Sequence, residues 1–157
     1  HPDATFAVCN NSHVTYGQAW RSSNRMARAL ADSGLRPGDR LAIVMRNGIE
    51  TALLILGAFK AGVLPVAINP RLKPQEWQRL CLDAGARLLI TGGQLTDEVD
   101  SFRSQIPDLR CIVACSRPPS GWSSLEGKEG PSGFAPPAPS TVPSLLPSSP
   151  PGRVTTF

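Results

Sequence analysis

The chain reads as an α/β fold, three-layered, with a mainly parallel sheet, flanking helices and an N-terminal hairpin. Three observations predict this. Short strand-like runs at residues 41–44, 63–68, 87–90 and 109–114 alternate with longer helix-like stretches. The first run, Leu41-Ala-Ile-Val44, is continuously apolar, as expected of a strand buried on both faces. Each of the first three helical stretches stops at a glycine, Gly34, Gly62 or Gly85. Repeated strand–helix–strand units make right-handed crossovers and so a parallel sheet.

The hairpin comes first. Residues 6–9 and 13–15 flank the turn-forming trio Asn10-Asn11-Ser12. Thr15 then opens a helix, and Gln18 three residues on completes a capping box. Tyr16, Ala19, Trp20, Ala27, Leu30 and Ala31 recur at helical spacing and predict its apolar face. Gly34 takes the C-cap, and Arg36-Pro37-Gly38-Asp39 is a turn into the first long-sheet strand. Asn47 is the expected cap of the second helix, with Glu50 three residues on. That helix, over 49–61, is apolar almost all round and should be largely buried. Pro74 suits the first turn of the third helix, whose predicted face is Trp77, Leu80, Cys81 and Ala84. A weaker fourth helix, over 97–105, has Val99 and Phe102 as anchors.

Composition divides the chain. Of 157 residues, 41% are hydrophobic, enough for a core, but ten of the 16 prolines lie in the last 40 residues. Such a segment buries too little apolar surface to offset its ordering entropy. The expected division is a folded unit over 1–115 and a disordered Pro/Ser/Gly-rich tail over 116–157. The net charge of +4 is spread among acidic residues, with no basic run, which argues against nucleic acid as a partner. Cys9, Cys81, Cys111 and Cys115 have neither zinc-knuckle nor Cys-x-x-Cys spacing, and only His1 and His13 could assist them. The expectation is reduced thiols, no metal site and a cytoplasmic setting, with an organellar one left open. Asn10-Asn11-Ser12 matches a glycosylation sequon, a pattern short enough to arise by chance. The apolar stretch 52–59 is too short to span a bilayer. The chain starts at His1 directly in structured-looking sequence and reads as a piece of something longer.

Several nucleotide motifs are missing. No Gly-x-Gly-x-x-Gly follows a strand, and no Gly-x-x-x-x-Gly-Lys-Ser/Thr or Gly-x-Ser-x-Gly occurs. What is present is a set of ordered blocks. They are Val14-Thr15-Tyr16-Gly17-Gln18-Ala19, Leu35-Arg-Pro-Gly-Asp-Arg-Leu-Ala-Ile-Val44, and Phe59-Lys60-Ala61-Gly62-Val-Leu-Pro65-Val-Ala-Ile-Asn69-Pro70. Glu76 and then Asp83-Ala-Gly-Ala-Arg-Leu-Leu-Ile-Thr91 follow. Together these resemble the N-terminal part of the adenylate-forming (AMP-binding) superfamily, over about residues 2–115. Asn69-Pro70-Arg71-Leu72 in place of Asp-Pro and Tyr-Pro looks like the acyl- and aryl-CoA ligase branch. Lys73 departs from the Thr usual there, and a lost helix cap costs up to about 1 kcal/mol.

The resemblance implies a parent enzyme that joins a carboxylic acid, fatty acids included, to the α-phosphate of ATP, releases pyrophosphate and passes the acyl group to CoA. Such chemistry needs backbone N–H groups, hydroxyls and a cation around the phosphates. In the family these, with a magnesium ligand and a mobile lysine, lie later than the matched region. The one phosphate-loop candidate here is Ser148, Ser149, Gly152 and Arg153, but three intervening or flanking prolines remove amide donors. The matched residues Thr15, Tyr16, Lys60, Ala61, Gly62, Pro65, Asn69 and Pro70 read as architectural: Thr15 and Tyr16 start a helix, Gly62 and Pro65 shape a helix–strand turn, and Lys60 is a solvated helix end. No catalytic residue is expected, nor a cofactor for this piece alone, although the parent would use ATP, Mg2+ and CoA. Two functions remain: an inactive portion of an acyl-CoA synthetase, or a non-catalytic isoform that binds a protein partner through exposed apolar faces.

Overall fold

A computed structural model of the chain describes residues 1–114 and 118–125. The hairpin pairs β1 (Thr5–Cys9) with β2 (Ser12–Thr15), antiparallel, and Asn10 takes φ 52° at its tip. The capping box forms as its sequence predicts. Gln18 N–H donates to Thr15 Oγ1 at 3.3 Å, and Thr15 N–H donates to Gln18 Oε1 at 2.8 Å. They start α1 (Tyr16–Asp32). Then come β3 (Arg40–Val44), α2 (Ile49–Lys60), β4 (Leu64–Ala67), α3 (Pro74–Ala84), β5 (Leu88–Thr91), a 3₁₀ turn, α4 (Thr96–Arg103), β6 (Arg110–Val113) and β7 (Ser123–Ser124).

The second sheet has five strands in the order β4-β3-β5-β6-β7, every pair parallel. Because successive side chains on a strand point to opposite faces, its strands split their residues between two cores. Leu41, Ile43, Leu88, Ile90 and Ile112 pack with Leu30 of α1 and Leu54 and Ala58 of α2. Ala42, Val44, Leu89 and Val113 pack with Trp77 and Cys81 of α3 and Val99 and Phe102 of α4. This is the three-layer arrangement that the continuously apolar runs predict. The hairpin forms a smaller third cluster with Ala19, Ile49 and Leu53.

The buried stripe of α1 is Ala19, Ser23, Met26, Ala29 and Leu30, rotated from the predicted one. Tyr16 and Trp20 lie outside the core, Trp20 with 64% of its surface exposed, and Ala31 is exposed as well. Two contacts explain this. Tyr16 meets the Phe6 ring edge-on at 5.3 Å, and Trp20 lies beneath the Lys60 ammonium, 3.7 Å from its ring centroid. Lys60 is therefore more than a solvated helix end. It also donates to Asn24 Oδ1 at 2.8 Å and ties α2 to α1. An exposed cation–π contact of this sort is worth about 0.5–1 kcal/mol.

Three further details depart from expectation. Gly48, in place of Asn47, is the N-cap of α2, and no side chain caps that helix. Leu80 is half-exposed, since Trp77 and Cys81 alone turn α3 toward the sheet. As the sequence led us to expect, Lys73 stands at the α3 N-cap without an acceptor to offer; only the return half of a capping box forms, Lys73 N–H to Glu76 Oε2 at 2.9 Å. The fold also runs past residue 115. Leu125 N–H donates to Val113 O at 3.0 Å, and Trp122 and Leu125 are buried. Trp122 is held from its other side by α4: its indole N–H donates to Asp100 Oδ2 at 3.3 Å, and Arg103 sits 4.8 Å from its ring. Residues 118–125, expected in the tail, thus add an edge strand.

The three helix-ending glycines all take positive φ, and Gly62 shows why. At φ 70° its carbonyl accepts from Gly38 N–H at 2.8 Å, and an added Cβ would lie 3.1 Å from Pro37 Cβ. The turn it meets is fixed by Asp39, whose Oδ2 accepts from Arg36 N–H at 2.8 Å. That bond, with the Arg87 guanidinium nearby, holds the Asp39 carboxyl below the usual range. Pro65 lies inside β4, opposite Leu41, and not in this turn.

Gly57 governs how closely α2 approaches α1. A Cβ there would collide with Met26 Cβ and sit 3.2 Å from Ser23 O. We expect Gly57→Ala to destabilise the fold by about 1–3 kcal/mol through overpacking, although alanine gains about 1 kcal/mol in helix propensity. Urea unfolding measures the balance, and an unchanged or raised midpoint would show that the two helices separate at no cost.

Candidate functional site

A cleft of about 930 Å³ opens at the carboxyl ends of β3, β4 and β5. The chain leaves β3 toward α2 on one face and leaves β5 toward α4 on the other. Ligands bind in open α/β sheets at such a reversal, outside the carboxyl ends of the strands. The lining is Ile43, Met45, Arg46, Asn47 and Thr51 from the β3–α2 side, Ala67 to Arg71 from the β4–α3 side, and Leu95.

Each wall is held by a local bond. Thr51 Oγ1 donates to Arg46 O at 2.7 Å and folds the β3–α2 loop over the start of α2. On the other wall, Asn69 Oδ1 accepts from Arg71 N–H at 3.0 Å, a turn that asparagine favours. Asn69 O accepts from the indole N–H of buried Trp77 at 3.1 Å, so α3 anchors the loop that carries Arg71. The lining offers two guanidiniums, two carboxamides and one hydroxyl, and no carboxylate. Guanidinium forks match planar or tetrahedral oxyanions. The cleft is therefore suited to an anion and unsuited to a bare divalent cation.

Of the residues singled out in the sequence, only Asn69 and Pro70 line this cleft. Thr15 and Tyr16 start α1, Lys60 and Ala61 end α2, and Gly62 and Pro65 lie between α2 and the middle of β4. Ser148, Ser149, Gly152 and Arg153 lie outside the described residues. Arg46, Asn47, Thr51 and Arg71 were not anticipated as site residues. Their signal is polar residues placed directly after apolar parallel strands.

A family model described as AMP-binding enzyme matches residues 1–149. The chain belongs to the AMP-binding enzyme family. Among relatives of this AMP-binding chain, a medium/long-chain-fatty-acid–CoA/3-oxocholest-4-en-26-oate–CoA ligase of Mycobacterium marinum is 30% identical over 112 residues, 71% of this chain and 20% of the relative. Surfactin synthase subunit 2 of Bacillus subtilis is 34% identical over a shorter 90 residues, 57% of this chain and 2% of that protein. Among solved structures, the anthranilate CoA ligase AuaEII in complex with anthranoyl-AMP superposes with a TM-score of 0.75 at 26% identity, over 80% of this chain and 24% of that one. The fold is that of the N-terminal domain of adenylate-forming CoA ligases. The chain spans about a fifth of the length of the fatty-acid ligase it matches.

No group of three or more metal-ligating side chains occurs among the described residues of this AMP-binding chain. None of their helices is long and apolar enough to cross a membrane. Cys9, Cys81 and Cys111 are free thiols. Burial pushes the Cys81 thiol up to about 12, with Cys111 adding to it, and burial raises Cys111 to about 11. Neither is a ready thiolate. The sign of the linkage follows: above the ordinary thiol value of 9.0 the unfolded chain loses a proton that folded Cys81 keeps. Stability from this thiol is full below that pH and declines as pH rises toward 12. We expect the urea midpoint to fall as pH is raised above 9.0, with a shallower slope in Cys81→Ala. Equal slopes would remove Cys81 as the cause.

Proposed function

We propose that this chain is the N-terminal scaffold of an AMP-forming acyl-CoA synthetase acting on a carboxylic acid, fatty acids included, and that it does not adenylate alone. The observation that carries the reading is the content of the cleft. Arg46 and Arg71 supply positive charge of the kind that receives phosphate or carboxylate oxygens, as ATP, CoA and the acid would present. The same lining holds no carboxylate for magnesium and no side chain placed to activate a nucleophile. The Mycobacterium marinum CoA ligase is about five times as long as the stretch it shares with this chain, which leaves room in that relative for the groups the cleft lacks. ATP–pyrophosphate exchange over a panel of fatty and aromatic acids tests this. The expected outcome is no exchange by the 157-residue chain; sustained acid-dependent exchange would sink the claim.

A second reading, a non-catalytic module that binds a protein partner, is favoured by apolar side chains left in solvent. Phe59 at the end of α2 and Leu64 at the start of β4 are 61% and 53% exposed, and Val8 and Leu82 are exposed too. A contiguous apolar patch marks a contact surface or an aggregation liability, whereas single exposed apolar side chains are ordinary. The expected outcome is concentration-dependent self-association and ANS binding, each reduced by Phe59→Ser with Leu64→Ser. A monomer at all concentrations that ignores ANS would remove this reading.

A further inference from the structure

The chain holds five asparagines, at 10, 11, 24, 47 and 69, and only Asn47 precedes a glycine. Its surroundings leave that pairing accessible to solvent. Asn47 is exposed in the bend between β3 and α2, and its carboxamide makes no hydrogen bond among the described residues. Gly48 is the N-cap of α2 at φ −175°, so its own N–H lies outside the helical ladder and donates to no backbone carbonyl. An amide nitrogen one residue after an asparagine can reach the side-chain carbonyl carbon in a five-membered ring. The absent Cβ of glycine leaves that approach open.

We propose that Asn47 is a site of spontaneous deamidation that places a carboxylate in the wall of the cleft. The Gly48 nitrogen attacks Asn47 Cγ and gives its proton to solvent base. The Cγ–Nδ2 bond breaks and ammonia leaves, which yields a cyclic imide. Water then opens the ring at either carbonyl to give aspartate or isoaspartate. The sum is one water consumed and one ammonia released, with no change of oxidation state. The product puts a negative charge beside Arg46 in a lining that has none. It lies at the start of α2, where the helix dipole favours an anion. The isoaspartate form also lengthens the backbone by one carbon at the entry to that helix.

Two of the other asparagines are poor competitors. Asn69 precedes Pro70, whose nitrogen carries no hydrogen, and its side chain is engaged with Arg71 N–H. Asn24 lies within α1 and accepts from Lys60. Gly48 is also open to substitution. Its φ is extended, and an added Cβ would meet only the mobile end of Glu50, at 2.9 Å from Oε2.

The test ages the full 157-residue chain, folded, in mildly alkaline buffer, followed by trypsin and mass spectrometry with a fresh sample digested alongside. Cleavage at Arg46 and Lys60 releases residues 47–60, with Asn47 as the sole asparagine and no glutamine. Cleavage at Lys60 and Arg71 releases residues 61–71, with Asn69 alone, as the internal control. The expected result is an amide-to-acid mass gain in 47–60 that grows with time, absent from 61–71, with isoaspartate detected by enzymatic methylation. Gly48→Ala should slow the gain by roughly ten-fold or more, the factor that a barrier rise of about 1.4 kcal/mol produces. No gain in 47–60, a gain only when the chain is unfolded in urea, or an equal gain in Gly48→Ala would each overturn the proposal.

Discussion

The burial of β3 on both faces is the constraint on which the other elements depend. Leu41, Ala42, Ile43 and Val44 are all at or near zero exposure, and their side chains alternate between two separate cores. A strand that is apolar on both sides demands a helical layer on each. Helices α1 and α2 cover one side, α3 and α4 the other. Its main-chain groups must also be paired laterally, and β4 and β5 do this from opposite edges. Once the chain has to cross β3 to reach β5, the connections leave the sheet in opposite directions. The cleft is the gap between them, so its position follows from the burial of a strand that contributes few of its polar groups.

How much of this was legible depended on the range of the interaction concerned. The Thr15–Gln18 box, the glycine stops and Pro74 at the start of α3 were readable because each is set within a few residues. The face of α1 was not. Trp20 follows helical periodicity as well as Leu30 does, but the neighbouring Lys60, 40 residues away, holds its ring at the surface. Strand β7 was hidden for a similar reason. It is only Ser123–Ser124, and it is retained by Trp122 reaching Asp100 and by Leu125 reaching the sheet. Composition sums over a segment and is blind to two well-placed anchors.

The cleft was the least visible feature, because no single stretch contains it. Arg46 and Arg71 lie far apart in the sequence and line one cleft only because β3 and β4 are parallel neighbours. Asn47 looked like a helix cap on local grounds, since asparagine is a favoured N-cap. The helix in fact starts one residue later, and the carboxamide is released to the cleft wall. The family blocks read from the sequence therefore located the scaffold well, with most of their residues spent on caps, turns and strands, whereas the polar lining came from the residues just after the strands.

Pro65 has one more consequence. Leu64 N–H donates inward to Asp39 O and Ile68 N–H inward to Ile43 O, so along β4 the even-numbered residues face β3. Alternation then directs the main chain of Pro65 and Ala67 away from the sheet. Proline carries no N–H, and this outer margin is left with the Ala67 donor alone. An incoming strand would find carbonyls but hardly any ladder to climb. Contacts made at this border must be made by side chains such as Leu64, which separates stickiness of surface from the templated strand addition that leads to fibrils.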